Sequence, residues 1–197
     1  MSLWDAAPTL AGRHVTLRPL ERSDRTALLA AFDAGLDDVF ATFIPREATI
    51  DGWYDRLDSE AAAGRVRAFT VLDADGNVAG TTRFLRMNAA HRRVEIGGTV
   101  YDRRVQRTGL NTEAKRLLLA YAFDMLGAVC VQLRTDFLNH RSRAAIERLG
   151  ARMDGILRGH MLMDGHRRDT VVYSILDTEW PGVRRNLDSM LARGAER

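Results

Sequence analysis

One cysteine, one lysine and no long apolar run characterise this 197-residue chain. Cys130, being alone, can form no internal disulfide and cannot join a multi-cysteine metal site. No stretch approaches the ~20 apolar residues that a membrane-spanning helix requires. The opening MSLWDAAPTLAGR has neither a basic start nor an apolar middle, so no secretory signal is expected and a cytoplasmic location is. No basic run is dense enough to track a nucleic acid, because the 28 arginines are scattered among 26 acidic residues for a net charge of +3. With Lys115 the only lysine, the bias reads as a coding preference for Arg and Ala rather than as phosphate recognition. His14, His91, His140, His160 and His166 show no metal-ligand spacing and HExxH is missing, so no metal is expected. Neither GxxxxGK nor GxGxxG occurs, which argues against a nucleoside triphosphate or a dinucleotide as ligand.

What is present predicts one packed domain. A second full domain would leave each half short of core, and 46% hydrophobic against 28% charged residues is the balance of a soluble globular chain. HVTLRPL (14–20) alternates like a half-buried strand. Ser23-Asp24 can cap a helix over 25–36, and Thr49 a second one ending at Gly64. AFTVLD and NVAGTTRFL flank Ala74-Asp75-Gly76, a hairpin signal, and VEIGGTVYD (94–102) reads as a further strand. The strongest helix spans 111–127, with Ala114, Leu117, Leu118, Tyr121, Ala122 and Met125 on one face, Asn111 or Thr112 as cap and Gly127 as stop. VCVQLRTDF reads as a buried strand, NHRSRAAIERLG (139–150) as a shorter helix, and ILRGHMLM and TVVYSILD as a hairpin across Asp164-Gly165. Pro181 opens a last helix whose Val183, Leu187, Met190 and Leu191 form an apolar stripe, suited to the domain or to a second subunit. This order predicts an α+β (α/β) domain with a mixed, mostly antiparallel sheet, residues 1–180, and a helical extension over 181–197.

The chemistry concentrates in QRTGLNTEA (106–114), where a glycine-bearing loop runs from a strand into the strongest helix. The first N–H groups of a helix have no internal partners and favour an anion, and Gly109 would let a phosphate approach the backbone.

This segment resembles the (Gln/Arg)-x-x-Gly-x-(Gly/Ala) pattern of the GNAT superfamily of N-acetyltransferases. Gln106, Arg107, Thr108, Gly109 and Leu110 fit it, and Asn111 stands where the final small residue belongs. GLNTEAK with its Leu-rich helix, DFLNHRSRAAIERLGA, and DGILRGHMLMDGHRRDTVVYSILDTEW resemble the RimJ/RimL-like branch, which includes ribosomal-protein N-terminal acetyltransferases. The resemblance, over roughly residues 12–180, implies a twisted sheet split by a V-shaped cleft. It implies acetyl-CoA as co-substrate, its pyrophosphate on the amides of 106–112, including Thr112, and its pantetheine arm along the strand carrying Thr99 and Tyr101. Asn139 matches an Asn that contacts pantetheine in the family, although Asn is also a good helix cap. Arg141 and Arg143 flank that helix end and could meet phosphates or lie solvated, and Arg143 is taken as cofactor-binding.

Seven positions after Asn139, many members carry a Tyr that protonates the leaving thiolate; here Ile146 stands there. Ser142 is the alternative acid, or merely part of the helix's first turn. Because a thiol ionises near ~8.5, the thiolate leaves tolerably without help. Glu95 is the candidate base, against the plainer reading of a solvated strand residue, and Gly97-Gly98 permits a bulge that would free an N–H for the thioester carbonyl. Cys130, between two valines, reads as a core thiol rather than a nucleophile. Trp53, Tyr54, Phe40 and Phe43 fall in the region that covers the acceptor pocket in this family, but such aromatics usually belong to a core.

The expected reaction is direct attack by a primary amine on acetyl-CoA in a ternary complex, with a protein or peptide N-terminus as preferred acceptor. A small-molecule amine such as an antibiotic or polyamine, and a non-catalytic acyl-CoA-binding protein, are the alternatives. No nucleic acid or membrane partner is expected; a homodimer is implied at the family level only.

Overall fold

In the computed structural model, which describes residues 2–33, 42–163 and 165–195, eight strands form one sheet in the order β1-β2-β3-β4-β5-β6-β8-β7. The strands are β1 (Leu10–Ala11), β2 (Val15–Pro19), β3 (Arg67–Asp73), β4 (Val78–Asn88), β5 (Arg93–Tyr101), β6 (Cys130–Asp136), β7 (Arg152–Met163) and β8 (His166–Leu176). The helices are α1 (Arg25–Asp33), α2 (Ile50–Ala62), α3 (Leu110–Ala120), α4 (His140–Leu149) and α5 (Trp180–Ala195). Every ladder is antiparallel except β5–β6. Phe40, a candidate for the acceptor region, and Asp164, a candidate for the last hairpin turn, lie outside the described residues.

The sheet separates two cores. Val94, Ile96, Leu118, Ile146, Val171 and Leu187 belong to one, closed by α3, α4 and α5. Leu28, Phe32, Ile50, Trp53, Tyr54 and Val100 belong to the other, closed by α1 and α2. Trp53 and Tyr54 are therefore core residues, their rings packed edge to face at 5.0 Å. α5 turns back onto the domain through Val183 and Leu187.

The turn expected at Asp75-Gly76 forms because the Asp73 carboxylate accepts from the N–H groups of Asp75 and Asn77, while Gly76 takes φ +82°. One expectation fails by a single residue. α3 ends in a π-type turn over Tyr121–Met125, whose extra residue rotates the chain beyond it. Met125, expected on the buried stripe, is exposed, and Phe123 and Leu126 are buried instead. Phe123 stacks on Trp180 at 5.4 Å, and the Trp180 indole N–H donates to Asp124 at 2.9 Å.

Candidate active site

β5 and β6 pair only from Arg93–Cys130 to Glu95–Gln132. Beyond Glu95 the edge of β5 has no strand partner among the described residues, which opens a fork in the sheet. On its other side β5 carries a bulge. Thr81 pairs with Val100 and Arg83 with Gly97, so Gly98 and Thr99 together oppose Thr82. Gly98 sits at φ +56°, which favours glycine, and a Cβ there would lie 2.1 Å from Arg83 Nε and would push that side chain aside. The bulge also resets the strand's alternation. Ile96 and Thr99, three positions apart, both face the α3 side.

Past the fork, the chain enters α3 through a turn in which Arg107 holds φ +62°, rare for a residue with a side chain. Gly109 holds the N-cap position, and just before it the Thr108 hydroxyl donates to Val105 O at 2.7 Å and accepts from Leu110 N at 3.2 Å. Asn111 and Thr112 are not the caps, because the helix begins before them. Thr112 instead accepts from Arg148 Nη2 at 3.3 Å, and Asn111 Oδ1 is buried without a partner among the described residues. The N–H groups of Arg107, Thr108, Gly109, Asn111 and Thr112 meet no acceptor among the described residues. Beside them lies a cavity of about 280 Å³ lined by Arg103, Gln106, Arg107 and Arg141. Gln106 ties its two sides together, donating to Tyr101 O at 3.1 Å and accepting from Arg141 Nη2 at 2.5 Å. Unspent amides at a helix start and three guanidinium groups fit a diphosphate.

Gly109 serves this corner differently from expectation. Its φ of −66° is ordinary, and a Cβ would lie 3.1 Å from His14 Cδ2. The missing side chain makes room for an imidazole, which is held in place because the Glu113 carboxylate accepts from the N–H groups of Arg13 and His14.

The α4 side needs a second correction. Arg141 lines the cavity, whereas Arg143 donates to Tyr173 Oη and Phe137 O and lies 4.9 Å over the Phe137 ring. Asn139 caps α4, its Oδ1 accepting from Ser142 N at 2.9 Å. The Ser142 hydroxyl makes no hydrogen bond among the described residues, and Ile146 is buried in the core.

Glu95 is neither solvated nor unpartnered. It is 4% exposed, with Arg86 Nη1 2.6 Å and Arg134 Nε 3.1 Å from Oε2, on the sheet face that α1 and α2 cover. Arg83 lies on the same face, against Gly98 and 5.8 Å from the Trp53 ring.

Thr99 and Tyr101 project away from that face. The Thr99 hydroxyl meets Thr82 Oγ1 at 2.8 Å and accepts from Lys115 Nζ at 2.6 Å, while the Tyr101 hydroxyl is buried without a partner among the described residues, and burial raises its pKa. Only their backbone can line the fork. Lys115 is the surprise of this region: the single lysine is buried with two threonine hydroxyls for company, and burial pulls its pKa down to about 7. Cys130 is half-buried, and burial raises its thiol pKa, as suits an inert thiol. No group of His, Cys, Asp or Glu able to hold a metal exists among the described residues.

Residues 14–152 match the family described as acetyltransferase (GNAT) domain. The chain is 32% identical over 110 residues to YdaF, a proposed ribosomal N-acetyltransferase of Bacillus subtilis, a match that covers 56% of this chain and 60% of that protein. It is 28% identical over 167 residues to spermidine N(1)-acetyltransferase of Escherichia coli, covering 84% of this chain and 88% of that one. Its fold superimposes on a GCN5-related N-acetyltransferase from Brucella melitensis with a TM-score of 0.86 and 31% identity, over 94% of this chain and 86% of that one.

Proposed function

The chain belongs to the GNAT acetyltransferase family and is an acetyl-CoA-dependent acyltransferase; on that premise we propose that its acceptor is the α-amine of a protein or peptide N-terminus, as in the RimJ/RimL-like branch. The observation that carries this reading is the charge of the sheet face beside the fork. Arg83, Arg86 and Arg134 share this face with the Glu95 carboxylate, whose Oε2 pairs with Arg86 and Arg134. A polyamine with several positive charges is repelled by such a surface, whereas an N-terminus brings one charge and sheds it easily.

In this reading the open amides of 107–112 and the guanidinium groups of Arg103, Arg107 and Arg141 hold the diphosphate of acetyl-CoA. The unpaired edge of β5 lines the pantetheine arm, with the Asn139 amide nitrogen nearby. A backbone N–H of the Gly98–Thr99 bulge polarises the thioester carbonyl. The amine nitrogen forms the new C–N bond as the C–S bond breaks, and the amine's proton is released. An α-amine ionises near ~7.7–8.0 and a lysine near ~10.4, so a lysine acceptor would need roughly 3.4 kcal/mol more for deprotonation. The α-amine therefore needs only weak assistance. Glu95, clamped by arginines, takes the proton through water rather than by direct contact, and Ser142 donates one to the departing thiolate.

Two measurements test this. Turnover across an N-terminal peptide library should exceed turnover with spermidine; preference for spermidine would overturn the acceptor assignment. Glu95→Gln should lower turnover by ~10²-fold, the low end for a general acid–base group, with acetyl-CoA affinity little changed. Equal losses in both would make Glu95 a structural counter-charge only.

A further inference from the structure

Arg83 is a mostly buried cation with no ion-pair partner among the described residues. It projects from β4 opposite Gly97, its guanidinium laid against Gly98 and facing the Trp53 ring. Among the described residues it makes no hydrogen bond or ion pair, and its Nε is buried and unsatisfied. Burial is the main reason that its pKa falls to about 10, with the like charge of Arg56 from α2 lowering it and Glu95 raising it. It is nonetheless a cation at neutral pH. Glu95 acts on it only through its field: no hydrogen bond or ion pair joins the two among the described residues, and the Glu95 Oε2 is shared by Arg86 and Arg134.

A mostly buried guanidinium without a paired anion is costly, and its planar fork of donors suits a carboxylate bidentately. The fold thus retains an expensive group whose donors meet no acceptor among the described residues, at the same bulge whose N–H is assigned above to the thioester carbonyl. We propose that Arg83 is a specificity residue that binds a carboxylate of the acceptor, so that the substrates are peptides with an acidic side chain in the first two residues. This deepens the N-terminal reading and rests on it. The carboxylate must lie near the amine, since Arg83 touches Gly98 itself; an acidic residue far along a peptide would not reach.

The test compares two peptides identical except for Asp or Asn at the second position, together with β-alanine against β-alaninamide, and spermidine. In the wild type kcat/KM should favour the Asp peptide by ~10- to 100-fold, the range usual for hydrogen bonds to a charged group. In Arg83→Met that ratio should collapse toward one, and in Arg83→Lys, which keeps the charge and loses the fork, it should fall part of the way. A wild-type ratio of one, a ratio that survives in Arg83→Met, or an equal loss for both peptides overturns the proposal. The wild-type ratio stands even if a variant fails to fold. Silence with both peptides but preference for β-alanine over its amide would reject the N-terminal acceptor while upholding the carboxylate site. Preference for spermidine rejects both.

Discussion

Acetyl-CoA affinity of a Gly109→Asp variant is expected to fall by ~100-fold or more, because a carboxylate would stand among the amides that hold the diphosphate. Two unit charges about 4 Å apart at an effective dielectric of ~20 repel by about 4 kcal/mol, more than enough for that loss. The side chain would also start 3.1 Å from the His14 ring, so some of the effect is packing. Gly109→Ala separates the two, as it brings the same Cβ without charge and should lose far less. Calorimetric titration with acetyl-CoA, alongside a melting curve for each apo-variant, provides the measurement. Unchanged affinity in the aspartate variant would remove the amide corner from the binding site.

Lys115→Met is expected to stabilise the protein, which is unusual for a buried substitution. The folded-state pKa is about 7 against an ordinary 10.5. Between those values the unfolded chain binds a proton that the folded chain does not, so stability rises with pH across that window and is flat below it. At neutral pH and below, the cost of burying the amine is of the order of 5 kcal/mol at most. Methionine keeps the length of the stem without the charge, and Thr82 and Thr99 retain each other at 2.8 Å. Recovering even about 3 kcal/mol would raise Tm by roughly 6–12 °C in a chain of this size. Urea unfolding at pH 7 and pH 10 should show the wild type gaining stability on alkalinisation and the variant gaining less. A destabilised variant, or parallel pH profiles, would mean that the amine contributes hydrogen bonds worth more than its burial.

These two positions show how unevenly the site could be read in advance. Gly109 was conspicuous, since a glycine ahead of a strong helix advertises open amides, and yet its own reason for being glycine, the His14 ring, comes from a turn about a hundred residues away. Lys115 gave no signal beyond being the only lysine, because its threonine partners, Thr82 and Thr99, come from two strands elsewhere in the chain. The bulge was permitted by Gly97-Gly98, but only the pairing with β4 shows that Gly98 takes the left-handed conformation. Arg141 and Arg143 are chemically identical in sequence. Two residues apart on a helix, they point in nearly opposite directions, so one reaches the Arg-lined cavity and the other the Phe137 ring. The π-type turn in α3 has no pattern of its own and shifts each side chain after it.

Local rules were sufficient for whatever depends on neighbours along the chain: element type, the Asp75-Gly76 hairpin, the Asn139 cap of α4, and the family that these motifs resemble. Which charges find partners depends on residues far apart in sequence, as with Glu95 between Arg86 and Arg134, and Arg83 with none among the described residues. Tertiary structure alone decided this, because the energy of an ionised side chain is set by distance and burial, and neither is a property of its position along the chain.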